Sequence, residues 1–366
     1  MKIDRLTARI VRVPQARPAI SANMRIDAIW FVLLDIDTDS GPRGSALVWG
    51  FNKAGAAALK AVTEQLSSVL LGEDPLYIEK IYKRMWYALV QWGHAGIPLM
   101  GLSLVDIALW DLLGKSCGRP IADLLGRNLA EVPAYASGLW ISDDLEALQK
   151  EAQGNVAAGY RAMKMRVGRS ALQKDVAAVR AVREAIGPDI ALMVDFSSIP
   201  TRDQALRMGR ALEEFELTWI EDPVVDEDER DHAFVARELR TPVCFGEKVY
   251  GPEGIRRIID AQAADVLMAD LQRAGGITGW QRIAALAAAA HLPLSSHILP
   301  EVNVHCIASA PTGYYLEFMD WGETLFTEPM RIVQGKARVP ARPGLGLDWN
   351  EPNIAAALQD RTEYRK

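Results

Sequence analysis

Three acidic residues, Asp195, Glu221 and Glu247, each close a short apolar run, and 26 residues separate each from the next. The runs read A-L-M-V-D, L-T-W-I-E-D-P and P-V-C-F-G-E. This is the rhythm of a barrel in which a helix follows each strand, with one carboxylate at the C-terminal end of three successive strands. That rim is where such barrels keep their chemistry. Any one of the three could be a helix cap or an ion-pair partner. Three in succession, as hard oxygen donors converging on one point, call for a divalent cation, Mg²⁺ being the natural choice.

Lys164 and Arg166 lie two apart in A-M-K-M-R-V, so in a strand they share a face. Two cations aimed into a packed barrel are expensive unless they meet an anion or a metal-bound ligand; at the strand end they could instead be solvated. Asp270 and His297 end the two strands after Glu247. Neighbouring parallel strands lie ~4.8 Å apart, and a carboxylate beside an imidazole fixes its tautomer and raises its pKa, as suits a general acid/base. Glu317 ends the eighth strand and could serve as a protonated acid donating to a developing oxyanion. A carboxylate substrate on the metal would place its α-carbon between strands two and seven. Loss of the α-proton leaves a dianionic enediolate, whose charge the metal, Lys164 and a neutral Glu317 would offset.

The elements that must position these groups divide the chain of 366 residues. Residues 1 to about 40 alternate like strands, with P-A-I-S-A-N-M-R-I-D read as a mobile loop between them. Residues 54–92 and 97–126 have helical period, the first helix with a Gly stop. From Val132 the pattern becomes strict βα alternation with eight candidate strands, the connection after His297 short and irregular. The expected architecture is α/β: an α+β capping domain over 1–126, a modified TIM (β/α) barrel over 127–325, and a C-terminal segment, 326–366, returning to the cap.

Composition is ordinary for a globular chain, 49% hydrophobic and 24% charged. A net charge of −6 without a Lys/Arg cluster argues against nucleic acid. The N-terminus lacks an apolar signal, and no uncharged stretch of ~18 residues suggests a membrane span. Cys117, Cys244 and Cys306 are scattered, and are expected to be reduced, buried thiols of a cytoplasmic protein.

With these residues in view the chain resembles the enolase superfamily, mandelate racemase subgroup, over nearly its whole length. A-L-W-D-L-L-G-K at 108–115 is similar to the family's capping-domain signature, and T-W-I-E-D-P, G-G-I-T-G-W and P-L-S-S-H-I-L-P-E are similar to mandelate racemase segments. The resemblance implies Mg²⁺ on Asp195, Glu221 and Glu247, an Asp270–His297 dyad, Glu317 beside the substrate carboxylate, cap loops near 15–30 and 45–60 closing the site, and often a homo-oligomer. A Lys or His base working beside Mg²⁺ on an enediolate is the known pattern of enolase-superfamily sites.

The chain departs from the subgroup at two positions. Where Lys-x-Lys is usual, Arg166 replaces the second lysine, and Arg is a poor base. Only His297 remains an obvious base, which favours dehydration of a sugar acid, a one-base reaction, over racemisation. A racemase, epimerase or cycloisomerase sharing the first half-reaction is the alternative, and an inactive metal-binding homologue the second. Ser197 stands where Asn is frequent and is too short for an expected direct contact. Asn23, Arg25, Trp30 and Ser137 are candidate contacts to a small-molecule carboxylate substrate; Trp30, Trp49, Phe51 and Trp140 could equally line an apolar pocket. Lys248 is expected to point away from the site by strand alternation and to be structural.

Overall fold

The computed structural model describes residues 1–169, 171–225 and 228–365. An antiparallel sheet carries β1 (Ile3–Ile20), β2 (Arg25–Thr38), β3 (Gly44–Trp49) and β14 (Leu358–Arg365) in the order β14-β1-β2-β3. Three helices cover it: α1 (Lys53–Leu70), α2 (Ile78–Ala88) and α3 (Ile97–Cys117). Asn52 starts α1 by accepting the Gly55 N–H, and Gly118 ends α3 in a left-handed conformation. Helix α3 is apolar almost all round because it is a buried core helix, packed on β3 and α1 and, on its other side, on the barrel.

After the short α4 (Ile121–Leu124), eight parallel strands form the barrel: β4 (Glu131–Ser137), β5 (Ala162–Arg166), β6 (Ala191–Asp195), β7 (Ile220–Glu221), β8 (Val243–Phe245), β9 (Val266–Asp270), β10 (Leu294–His297) and β11 (Leu316–Phe318). Strand β11 pairs with β4, and the Tyr314 N–H donates to the Leu294 carbonyl (2.9 Å) to join it to β10. The seven connections carry α5 (Leu145–Ala157), α6 (Leu172–Ile186), α7 (Arg202–Leu212), α8 (Glu229–Glu238), α9 (Gly251–Ala261), the pair α10 (Leu271–Ala274) and α11 (Gly276–Ala289), and α12 (Pro300–Ser309). Strand β11 runs into a 3₁₀ turn, Asp320–Leu325, instead of a helix, and this is the modification of the barrel. Tyr135, Met193, Trp219, Cys244 and Met268 fill the barrel interior as a separate apolar cluster. Met193, Trp219 and Met268 lie two residues before Asp195, Glu221 and Asp270, and Tyr135 two before Ser137, so they share a face with the strand-end residues and form the floor beneath them.

The cap is tied to the barrel by buried hydrogen bonds from α3. Asp106 accepts from the Thr278 hydroxyl (2.6 Å) and amide (2.9 Å), and the Ser103 hydroxyl donates to the Gln272 carbonyl (2.7 Å). The Gln272 side chain in turn accepts the Trp49 N–H (2.9 Å), which fixes the end of β3 over the barrel mouth.

Four expectations are corrected. Residues 18–27 are not a long loop: β1 and β2 continue into them, Ala19 opposite Ile26, after a register shift between Pro14 and Ala19, and only 21–24 turn. Pro14 and Pro18 sit at this irregularity, where a missing N–H is tolerated. The stretch after His297 holds the ten-residue α12, hidden from sequence by Val302, Val304 and Ile307, weak helix formers that here pack on every side. The segment after 325 divides: β12 (Ile332–Val333) and β13 (Lys336–Arg338) extend the barrel sheet on β4, while α13 (Glu351–Ala357) and β14 join the cap. Cys117 is exposed, at the end of α3; Cys244 and Cys306 are buried.

Candidate active site

Strand register assembles the site. Arg166 lies beside Asp195, Asp195 beside Glu221, and Asp270 beside His297 on adjacent strands. Lys164 is wholly buried; its ammonium bonds the Glu221 carboxylate and lies 2.9 Å from Glu317 Oε1. Arg166 is held on all sides. Its Nε is 3.3 Å from Asp195 Oδ2, its Nη1 donates to Ser137 Oγ (2.8 Å) and the Gly138 carbonyl (3.3 Å), and its guanidinium lies 4.2 Å from the Trp140 ring centroid. His297 Nδ1 is 2.8 Å from Asp270 Oδ2, and Nε2 is 3.2 Å from Glu247 Oε2. Both cations on β5 therefore meet anions, as their burial requires.

The backbone leaves four of the barrel strands, β4, β6, β7 and β10, through left-handed residues. Leu139, Ser197, Ser198, Asp222, Ile298 and Leu299 all have positive φ just past a site strand. For Ile298, β-branched with φ of 43°, that is a true outlier. Such conformations persist where surrounding structure over-determines them, and they cluster at working sites. Here the turn after β10 aims the Ile298 N–H at Glu317 Oε2 (2.7 Å).

Burial and charge set the protonation states. Burial alone would deprotonate Lys164, but Glu221 and Glu317 overcome it and hold the ammonium well above its ordinary range. Burial likewise disfavours charged His297, yet Glu247, Asp270 and Glu317 push it up to about 9. Glu317 does not match the expected neutral acid. Against the effect of burial, Lys164, His297 and Arg166 pull its pKa below the usual carboxylate range, and it accepts from Ser137 Oγ (2.7 Å) as well as from Ile298. It is an acceptor in this arrangement because three cations converge on it.

Among the described residues no three His, Cys, Asp or Glu side chains are close enough together to share an ion as placed; the chain's own cations pair with Asp195, Glu221 and Glu247 instead. The donor chemistry nonetheless fits Mg²⁺. Glu221 is pushed upward by burial and by the nearby Asp195, Glu247 and Glu317 charges, and a divalent cation relieves that crowding.

The cleft above these groups is lined by Asp195, Ser197, Glu247, His297 and Arg166 from the barrel, and by Ser21, Asn23, Met24 and Trp49 from the cap. Asn23 donates to the Ser197 carbonyl (3.3 Å), so the β1–β2 turn reaches the rim. Ser137 sits behind Arg166, bonding it to Glu317. Two candidates lie elsewhere: Arg25 is exposed and paired with Asp27 (2.9 Å), and Trp30 packs within the cap rather than at the cleft. Lys248 corrects the expectation made for it. Strand β8 ends at Phe245, Gly246 at φ of 132° breaks the alternation, and Lys248 returns to line the cleft, 2.7 Å from Asp222 and 2.6 Å from Ser198 Oγ. Met319 and Trp321, also in the lining, follow β11 in a turn whose path no periodicity announces.

Comparison with known proteins gives this geometry its family. Residues 5–126 match the mandelate racemase / muconate lactonizing enzyme N-terminal domain, and residues 147–353 match the enolase C-terminal domain-like family. The chain belongs to the mandelate racemase / muconate lactonizing enzyme family. It is 34% identical to 3,6-anhydro-alpha-L-galactonate cycloisomerase of Streptomyces coelicolor, over 94% of this chain and 96% of that protein. The solved structure of L-talarate/galactarate dehydratase from Salmonella typhimurium LT2, liganded with Mg and L-lyxarohydroxamate, superposes with a TM-score of 0.95 at 31% identity, covering 100% of this chain and 95% of that one. An enolase from Bradyrhizobium complexed with magnesium and mandelic acid superposes with a TM-score of 0.91 at 35% identity, covering 98% and 100%. The cap and the barrel of this mandelate racemase / muconate lactonizing enzyme family member are the two matched parts, and the cleft lies between them.

Proposed function

We propose that this protein is a Mg²⁺-dependent enzyme that removes the α-proton of a 2-hydroxycarboxylate and dehydrates a sugar acid. The carrying observation is the fixed state of Arg166. Four contacts hold its guanidinium, and a guanidinium is a poor base, so among the described residues His297, beside Asp270, is the obvious base of the cleft.

Asp195, Glu221 and Glu247 would hold the ion, which when bound supplies positive charge to the substrate carboxylate. His297, oriented by Asp270 at Nδ1 and neutral once an ion on Glu247 offsets the charge that raises its pKa, would take the α-proton at Nε2. The C–H electron pair moves onto the carboxylate, giving an enediolate. Lys164, kept charged by its surroundings, stabilises the oxygen that gains charge. The pair then returns to form the α,β double bond as the C–O bond at the β-carbon breaks. Protonated His297 gives its proton to the leaving hydroxide, and one water departs. Arg166, stacked on Trp140, hydrogen-bonds the substrate rather than exchanging protons with it.

Galactarate and arabinonate dehydratases among the relatives support the sugar-acid class. Cycloisomerisation through the same first step is the second reading, favoured by the 34% identity to a cycloisomerase. The test is a mass-spectrometric screen of aldonic, aldaric and aromatic 2-hydroxy acids with the protein and Mg²⁺ in D₂O. Loss of water from one acid supports dehydration. Deuterium uptake without water loss supports cycloisomerisation or racemisation, and no change in any acid overturns the reading.

A further inference from the structure

Beside the catalytic cleft lies a second, smaller cavity that shares Trp49, Ile298, Met319 and Trp321 with it. Its other walls are Phe31, Leu299, Pro300 and the Gly322 backbone, and the one carboxyl in it belongs to Glu301. Glu301 stands in the first turn of α12, only 5% exposed; its carboxyl accepts its own backbone N–H, and no other side chain hydrogen-bonds or ion-pairs with it among the described residues. Residue 322 beside it is glycine: a Cβ there would sit 3.2 Å from Oε1 and crowd the carboxyl. The second polar group is Trp49, 6% exposed, whose indole N–H is buried and has no acceptor among the described residues.

An unpaired buried donor beside a buried carboxyl bonded to its own backbone N–H and to no other side chain among the described residues is costly, and native structures keep such groups where something else pairs with them. The free space is about 10 Å³, enough for one water-sized oxygen. An atom that accepts from an indole N–H and also exchanges a hydrogen bond with a carboxyl is a hydroxyl oxygen. Burial pushes the Glu301 pKa up to about 7, with the Glu323 charge adding to it, so the carboxyl can donate or accept. Trp49 is held rigidly for this role by Gln272, across the cap–barrel boundary.

We propose that Trp49 and Glu301 form a hydroxyl subsite for the distal end of the substrate, and that they select polyhydroxy acids over aryl 2-hydroxy acids. The proposal rests on the reading of the cleft as an enolising site and deepens it. An aryl group pushed against this cavity would leave the Trp49 N–H unpaired and give the Glu301 carboxyl nothing beyond its own backbone, and sites built to bond a hydroxyl discriminate strongly against ligands lacking it.

The experiment compares wild type, Trp49→Phe, Glu301→Leu and Glu301→Gln. Each is given galactarate, arabinonate and mandelate with Mg²⁺, and both α-proton exchange in D₂O and binding by calorimetry are measured. The ratio of kcat/KM for the better polyhydroxy acid to that for mandelate should fall ~10-fold or more in Trp49→Phe and Glu301→Leu, chiefly through KM. Glu301→Gln, which can still bond a hydroxyl, should keep most of it. Folded variants with an unchanged ratio, or with a lowered melting temperature alone, would mean the cavity holds only a structural water, and would overturn the proposal. Wild type that prefers mandelate overturns it too. If wild type binds polyhydroxy acids but exchanges no proton, the enolisation reading falls, and the same ratio taken from the binding constants decides the subsite. If it binds none of the three, both fall.

Discussion

Arg166 and His297 face the same cleft with opposite chemistry. His297 can lose and regain a proton; Arg166, pinned by Asp195, Ser137 and Trp140, cannot do so at neutral pH. His297→Asn should therefore reduce α-proton exchange by ~10³-fold or more, since it removes the one base while leaving a side chain of similar polarity. Circular dichroism and Mg²⁺ binding should be unchanged; exchange at wild-type rate would remove His297 from the mechanism. Arg166→Lys is the complementary change. It loses the planar fork that bonds Ser137 and stacks on Trp140, so kcat/KM should drop ~10- to 100-fold. In return it places an amine across from His297, and chiral chromatography should then detect an epimerised acid that wild type does not make. A variant that turns over slowly with no epimer would mark position 166 as purely a binding position.

At the scale of elements, the eight barrel strands and the charged residues at their ends were legible because parallel strands buried on both faces are near-continuous apolar runs that stop at a charge. What the sequence hid was set by contacts between distant segments. Residues 18–20 and 25–27 become strand only because each partner supplies the other's hydrogen bonds, and α12 is helical despite its β-branched residues because burial outweighs propensity. Lys248 was misplaced for the reverse reason: periodicity says nothing once a strand has ended, and Gly246 ends β8 early. The docking of α3 is similarly non-local and gives a prediction. Burial, partly offset by the Thr278 hydrogen bonds, raises the Asp106 pKa to about 7, against ~3.9 for an exposed aspartate. The fold then holds a proton that the unfolded chain releases, so the stability from neutral Asp106 is complete below about pH 4 and lost as pH climbs to 7. Asp106→Asn has no such titration. Between about pH 4.5 and 8 its stability relative to wild type should rise by more than ~1 kcal/mol, read from urea midpoints at each pH. A constant difference across that range would mean Asp106 is ionised throughout.

Across the whole molecule, the cleft concentrates like charge between two domains. Asp195, Glu221, Glu247 and Glu317 converge under the cap turn that carries Asn23, and the chain's own Lys164, Arg166 and His297 answer them. Two of the three proposed ion ligands are nearly inaccessible, Glu221 at 1% and Asp195 at 9% exposure, so their repulsion is poorly screened by solvent or salt. An ion that binds only the folded arrangement stabilises it by mass action, ~2.7 kcal/mol at a hundredfold excess over Kd. Thermal scans in saturating Mg²⁺ should therefore show a melting temperature several degrees above that in EDTA, and EDTA should also abolish proton exchange reversibly. Glu221→Gln distinguishes site binding from a general salt effect. It removes the ligand whose charge is most disfavoured by its neighbours, so the Mg²⁺-dependent shift should shrink to that given by the same ionic strength of NaCl. If the wild-type scans in Mg²⁺ and EDTA superimpose, the three strand-end carboxylates are not an ion site, and their pairing with Lys164, Arg166 and His297 is the resting state of the folded chain.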